Sequence, residues 1–222
     1  MISPEYATTH YFYPARELSS KVFPHTVNLY LDYNCPFSAK IFFKLKDSVI
    51  PELNKSHPGQ FQFVFVNVIQ PWHPNSNLLH EFSLEFASLL RKSESSESNK
   101  LFWDFSEIIF KNKEQFYDTA NVNLNRNEIY KQISTLPDLQ TLNLPFEISQ
   151  VVENLKITPT TSGEEPHNSW NAATNDVKYF TKYLRGVGVH VTPTVSVDGV
   201  TNNSVSSGDK ESTLVETFIA SI

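Results

Sequence analysis

A cysteine followed directly by a proline, Cys35-Pro36, stands between an apolar run that reads as a strand and a segment whose apolar residues recur at helical spacing. Proline is favoured at the first helical position, where its missing N–H would have no intrahelical partner, so Pro36 places Cys35 at the N-cap. Free backbone N–H groups and the positive end of the helix dipole favour a thiolate there, and the thiolate is the nucleophile of disulfide chemistry. The opposing reading is that Cys35 is a small buried apolar residue, the commonest fate of a free cysteine. Cys35 is the chain's single cysteine. An intramolecular disulfide is therefore excluded, and a reducing compartment is expected.

Other residues qualify by type and position. Ser38 lies one turn beyond Cys35, where its hydroxyl can reach a thiolate or instead satisfy a backbone group. Thr192-Pro193 precedes a late apolar run, and His190 three residues earlier is either a group that tunes the thiol or a core histidine. Gln70-Pro71-Trp72-His73-Pro74 follows a second apolar run, so Trp72 and His73 either line a pocket or fix the chain's exit. Metal binding fails on spacing: His80-Glu81 has Leu84 where a second histidine would be needed, and no metal is expected. With only 6 glycines the chain has no glycine-rich phosphate loop, nor does it contain a Gly-x-Ser-x-Gly elbow.

The elements that would position these residues follow from periodicity. Residues 27–31 predict a strand covered on both faces, 37–53 a helix, and 61–69 a second strand rich in Phe and Val. A strand, helix, strand unit of this kind normally gives two parallel strands. From 72 to 170 the period becomes helical, with apolar faces around Leu79–Leu90, Phe102–Ile109, Ile129–Leu136 and Ile148–Leu155, and a loop at 158–168. Residues 171–184 predict a helix with Gly186 and Gly188 at its exit, 189–197 a strand, Asp198-Gly199 a hairpin turn, and the end of the chain from about 209 a helix. Phe12, Tyr13 and Phe23 read as packing residues or an early edge strand.

The 222 residues, 40% hydrophobic with 17 Phe, suffice for a core that needs no metal or disulfide. The net charge of -6, without a long basic block, argues against nucleic acid as a partner. No apolar run reaches the roughly 18 residues of a membrane span, and Glu5, Tyr6, His10 and Arg16 interrupt the apolar stretch a signal peptide needs, so no membrane partner and a cytoplasmic location are expected.

Strand, Cys35-Pro36-Phe37-Ser38, long helical segment and Thr192-Pro193, in this order, resemble the thioredoxin superfamily. The resemblance is narrower to its DsbA-like branch, which also holds the kappa-class glutathione transferases and the 2-hydroxychromene-2-carboxylate isomerases. It implies a thioredoxin-like α/β fold, residues 1–71 joined with 171–222, interrupted by an all-helical insertion at 72–170. It further implies Cys35 as nucleophile, Pro193 as a cis-proline, and Pro36, Phe37, Thr192 and Pro193 as the substrate-binding surface; by their positions in the chain Ser38 joins them as candidate partner of the thiolate, and Trp72 and His190 as candidates for that surface. The chain departs from the dithiol pattern at Ser38, where a resolving cysteine would stand. The transferase and isomerase relatives place serine at the position of Cys35 rather than Ser38, so the tetrad matches neither branch. The resulting expectation is a monothiol oxidoreductase with no tightly bound cofactor, glutathione as co-substrate, and a small thiol or a peptide or protein disulfide as substrate. A non-catalytic binding module and a glutathione-dependent transferase or isomerase are the alternatives.

Overall fold

Strand β1 (His25–Leu31) buries its last five residues, as its unbroken apolar run requires. It pairs in parallel, residue for residue, with β2 (Phe61–Asn67), all of whose residues are buried. The computed structural model describes residues 1–18 and 23–222. On the other side of β1 runs β3 (Thr194–Val197), antiparallel, and beyond it the short β4 (Val200–Thr201), giving the order β2-β1-β3-β4. Asp198 and Gly199 join the last two with φ of 49° and 86°, the positive values that a two-residue hairpin turn demands at both positions. The outer edge of β2 is covered by the N-terminal segment: the Phe12 N–H donates to the Phe63 carbonyl (2.8 Å) and the Phe65 N–H to that of His10 (2.9 Å). The segment makes an isolated bridge, Tyr11 to Val64, rather than an edge strand; Phe12 and Tyr13 pack against the core, whereas Phe23 is exposed.

The helix expected over 37–53 is interrupted. Helix α1 (Pro36–Lys44) passes through a wider π turn (Leu45–Val49) into α2 (Ile50–Ser56). Pro51 explains the turn, because it cannot donate to the preceding helical ladder and its ring crowds the carbonyl one turn back. Between β2 and the next long helix come α3 (Ser76–Ser93), α4 (Ser98–Lys111), α5 (Asp118–Asn121), α6 (Arg126–Ser134) and α7 (Ile148–Leu155). Then follow α8 (Thr174–Val187), which includes Gly186 and ends on Gly188 at φ 72°, and the terminal α9 (Glu211–Ile219). Residues 189–193, expected as strand, form a loop, and only Thr194–Val197 enter the sheet.

One continuous cluster of buried side chains runs from the sheet into the helices that follow it. Phe65 of β2 lies against Phe102 and Trp103 of α4, and Phe42 of α1 stacks on Trp103 with ring centres 5.6 Å apart. These contacts fix α1, and with it the residue at its N-cap, against both layers.

Candidate functional site

Cys35 caps α1 in extended backbone (φ -85°, ψ 119°), the conformation that a following proline imposes, with Pro36 in the first turn. Its N–H donates to the Asp32 carbonyl (3.0 Å) and its carbonyl accepts from the Ala39 N–H (3.2 Å). The side chain is nearly covered, at 4% exposure. Its thiol donates to the Thr192 carbonyl, 3.5 Å away. The Thr192–Pro193 peptide bond is cis. Sequence residues 157 apart therefore form one local arrangement, with exposed Pro36 and Phe37 beside it.

Gln70, buried at the exit of β2, holds the other wall. Its side-chain amide donates to the His190 carbonyl (3.2 Å) and to the Thr192 hydroxyl (3.4 Å). Ser38 does not reach the sulfur: its hydroxyl accepts from the Asp32 N–H (3.3 Å), and no hydrogen bond joins it to Cys35 among the described residues. A first-turn hydroxyl that satisfies the backbone of the preceding strand end is the simpler outcome, and the structure has it.

Beneath the cysteine lies a fully buried carboxylate. Asp32 accepts from the Asn34 N–H (2.9 Å), the Ser76 hydroxyl (2.7 Å), the Gln70 N–H (3.3 Å) and His73 Nδ1 (2.7 Å), with His80 Nε2 at 3.6 Å. Burial alone would push this carboxyl up. The contribution of His80, then the hydrogen bonds from His73 and the Asn34 N–H, outweigh burial and hold it below the usual carboxylate range. The chain of bonds continues inward: the Asn67 amide group donates to His80 Nδ1 (2.9 Å) and its carbonyl oxygen accepts from His10 Nε2 (2.9 Å). His10 is entirely buried, and that burial, aided by the Arg91 charge, lowers its pKa to about 3. It is a neutral imidazole.

Two cavities flank this arrangement and share Trp72. One, of about 280 Å³, is lined by Asn34, Pro36, Trp72, His73 and Tyr117, so it opens beside Cys35. Burial, then the Glu114 charge and the Cys35 sulfur, push the Tyr117 phenol up, consistent with its place across that opening. The other, of about 550 Å³, lies between the exit of β2 and α8, with Gln70, Trp72, Arg185 and His190 on its walls. His190 is exposed there, so it is not a core residue, and among the described residues no hydrogen bond joins it to Cys35. A third cavity of about 370 Å³, between the N-terminal segment and α4, contains no residue of the site. No group of three or more His, Cys, Asp or Glu suited to a metal ion occurs among the described residues.

Cys35, Pro36, Phe37, Thr192 and Pro193 thus come together, Trp72 borders them, and His190 lines the cavity on the other side of Trp72. Asp32, Gln70 and the pairing of His73 with Asp32 were not foreseen. An acidic residue ending an otherwise apolar buried strand was the available signal for Asp32, since such a group must find donors.

No protein-family model and no curated protein matches the chain. Solved structures do. A candidate protein-disulfide isomerase from Pseudomonas syringae is 24% identical with a TM-score of 0.64, covering 87% of this chain and 92% of its own. Oxidised BdbD from Bacillus subtilis is 20% identical with a TM-score of 0.59, covering 96% and 92%. MdbA, a thiol-disulfide oxidoreductase from Corynebacterium diphtheriae, is 14% identical with a TM-score of 0.55, covering 95% and 89%. The sheet, the helical segment between β2 and α8, and these likenesses together give this chain a thioredoxin-like fold with helices between β2 and α8, the fold of these solved structures.

Proposed function

We propose that the chain is a monothiol thiol–disulfide oxidoreductase, with Cys35 as nucleophile and glutathione as the second thiol. The observation that carries this reading is the placement of the Cys35 sulfur at the α1 N-cap, 3.5 Å from the carbonyl of Thr192 beside Pro193. In the first step the Cys35 thiolate attacks the glutathione sulfur of a mixed disulfide R–S–S–G, forming Cys35–S–S–G and releasing R–S⁻. In the second, the thiolate of a second glutathione attacks that sulfur, forming oxidised glutathione and returning the electron pair to Cys35. The substrate sulfur is reduced and the one incoming glutathione is oxidised, the glutathione carried by the substrate passing on at the disulfide level, so no second protein cysteine is required; Cys35 is the single one. Thr192 donates to no backbone carbonyl among the described residues, leaving its N–H for an extended peptide. Exposed Phe37 and Trp72 supply an apolar border for that peptide. Glutathione supply points to a reducing compartment such as the cytoplasm.

The test is reduction of a glutathionylated fluorescent peptide by glutathione, with intact-mass detection of the protein. The expected result is turnover that disappears in Cys35→Ser, together with one glutathione adduct on the wild type. The burial of the sulfur favours a second reading, a non-catalytic module that binds peptides in the same groove. Absence of the adduct until the protein is denatured would select it.

A further inference from the structure

We propose that His73 is the proton-transferring residue of this site, exchanging one proton per turnover with the external thiols in the cavity beside Cys35, and that Asp32 is its positioning residue. The proposal rests on the thiol-exchange reading above. His73 Nδ1 is bonded to Asp32 Oδ2 at 2.7 Å, and Asp32 is wholly buried, so the carboxylate fixes the ring and assigns the Nδ1 proton. Nε2 has no partner among the described residues, and the side chain, 22% exposed, lines the cavity of about 280 Å³ that also has Asn34 and Pro36, the two neighbours of Cys35, on its wall. The carboxylate, imidazole and cysteine come from three places: the end of β1, the exit of β2 and the start of α1. An acid–base function needs an imidazole oriented through one nitrogen and open through the other, within reach of where the exchanging thiol must arrive.

The ionisable groups facing His73 are few. Asp32 faces it from β1, with His80 of α3 on the far side of that carboxylate; Tyr117 and Asp118 line the same cavity at the start of α5, and Asn34 and Pro36, which flank Cys35 in the chain, line it at the start of α1. The far wall is held by the Asn34 and Asn75 side chains, both donating to the Phe116 carbonyl (3.2 and 3.0 Å). The step balances within the reaction. Nε2 takes the proton of the second glutathione as its sulfur attacks Cys35–S–S–G; the Cys35–glutathione bond breaks and Cys35 leaves as thiolate. On the next substrate, the R–S⁻ expelled by Cys35 takes that proton from the imidazolium, restoring neutral His73.

The experiment loads wild type and His73→Gln with one glutathione at Cys35 and follows its removal by glutathione from pH 5.5 to 9 by intact mass. His73→Gln is expected to slow removal about 10²-fold near neutral pH and to flatten the pH profile, in the range of general acid–base effects. In His73→Ala, added imidazole is expected to restore part of the rate, which a purely structural role would not allow. Asp32→Asn should slow the step while leaving Cys35 competent to form the adduct. Wild-type rates and profile in His73→Gln, or loss without imidazole rescue in His73→Ala, overturn the role of His73 and leave that of Cys35 standing. A wild type that forms no Cys35 adduct overturns both.

Discussion

At the scale of single residues, the site is organised by a buried carboxylate rather than by the cysteine alone. Apart from the Asn34 N–H, Asp32 gathers its donors from positions 38 to 44 residues away along the chain, which is why spacing did not disclose its partners. Cys35, Pro36 and Thr192 were legible because their meaning is local: proline at a helix start, and proline before a strand. Ser38 was ambiguous from sequence, and the Asp32 N–H decides what its hydroxyl does. The inner end of the same chain of bonds has a measurable consequence. Unfolded His10 titrates near 6.5 but folded His10 near 3, so between these values unfolding takes up a proton and stability falls with falling pH. Stability contributed by the neutral ring is whole above about pH 6.5 and is lost as pH falls towards 3. Denaturant unfolding at pH 7 and pH 5 should show wild type losing about 2 kcal/mol more than His10→Gln, following about 1.4 kcal/mol per unit. Equal losses in the two proteins would refute a neutral buried His10.

Among the elements, the parallel pair β1 and β2, the hairpin at Asp198-Gly199 and the long helices were readable because each has a strong period or a turn with positive φ. Two elements were misread for physical reasons. Apolar residues at 189–193 imitate a strand, but that segment spans the groove, and its carbonyls accept from Gln70 and Cys35 instead of a neighbouring strand. The helix after Cys35 widens at Leu45–Val49 because Pro51 withdraws a ladder donor, a local conflict that apolar spacing does not register. Gln70 binds the exit of β2 to the 189–193 loop, so Gln70→Ala should loosen the groove more than the chemistry. Loss of its two hydrogen bonds predicts a KM for the glutathionylated peptide about tenfold higher, equivalent to about 1.4 kcal/mol, with kcat little changed. A fall in kcat at constant KM would show instead that Gln70 acts in the exchange step.

For the whole molecule, the question is whether the helical segment between β2 and α8 is a separate body or part of one packed unit that holds the site. Composition and period marked it as an insertion, but periodicity along one chain says nothing about what a face packs against. The structure places Phe65 of the sheet in contact with Tyr33, Phe42, Phe102, Trp103 and Phe110, so strand end, first helix and α4 meet at one ring. His80 and Ser76 of α3 complete the shell of Asp32 from the same segment. The site therefore depends on docking of these helices, and the two parts should lose structure together. In a Trp72→Phe, Trp170→Phe background, which removes the two exposed indoles, fluorescence reports buried Trp103 at that junction. Its unfolding transition should coincide with that of the far-ultraviolet circular dichroism. Phe65→Ala should move both transitions together, by about 3–5 kcal/mol, the usual cost of emptying a buried aromatic site. A fluorescence change that precedes the loss of helix, or a Phe65→Ala effect confined to one probe, would mean that the helical segment detaches on its own. Reactivity at Cys35 would then be gated by that docking rather than fixed by it.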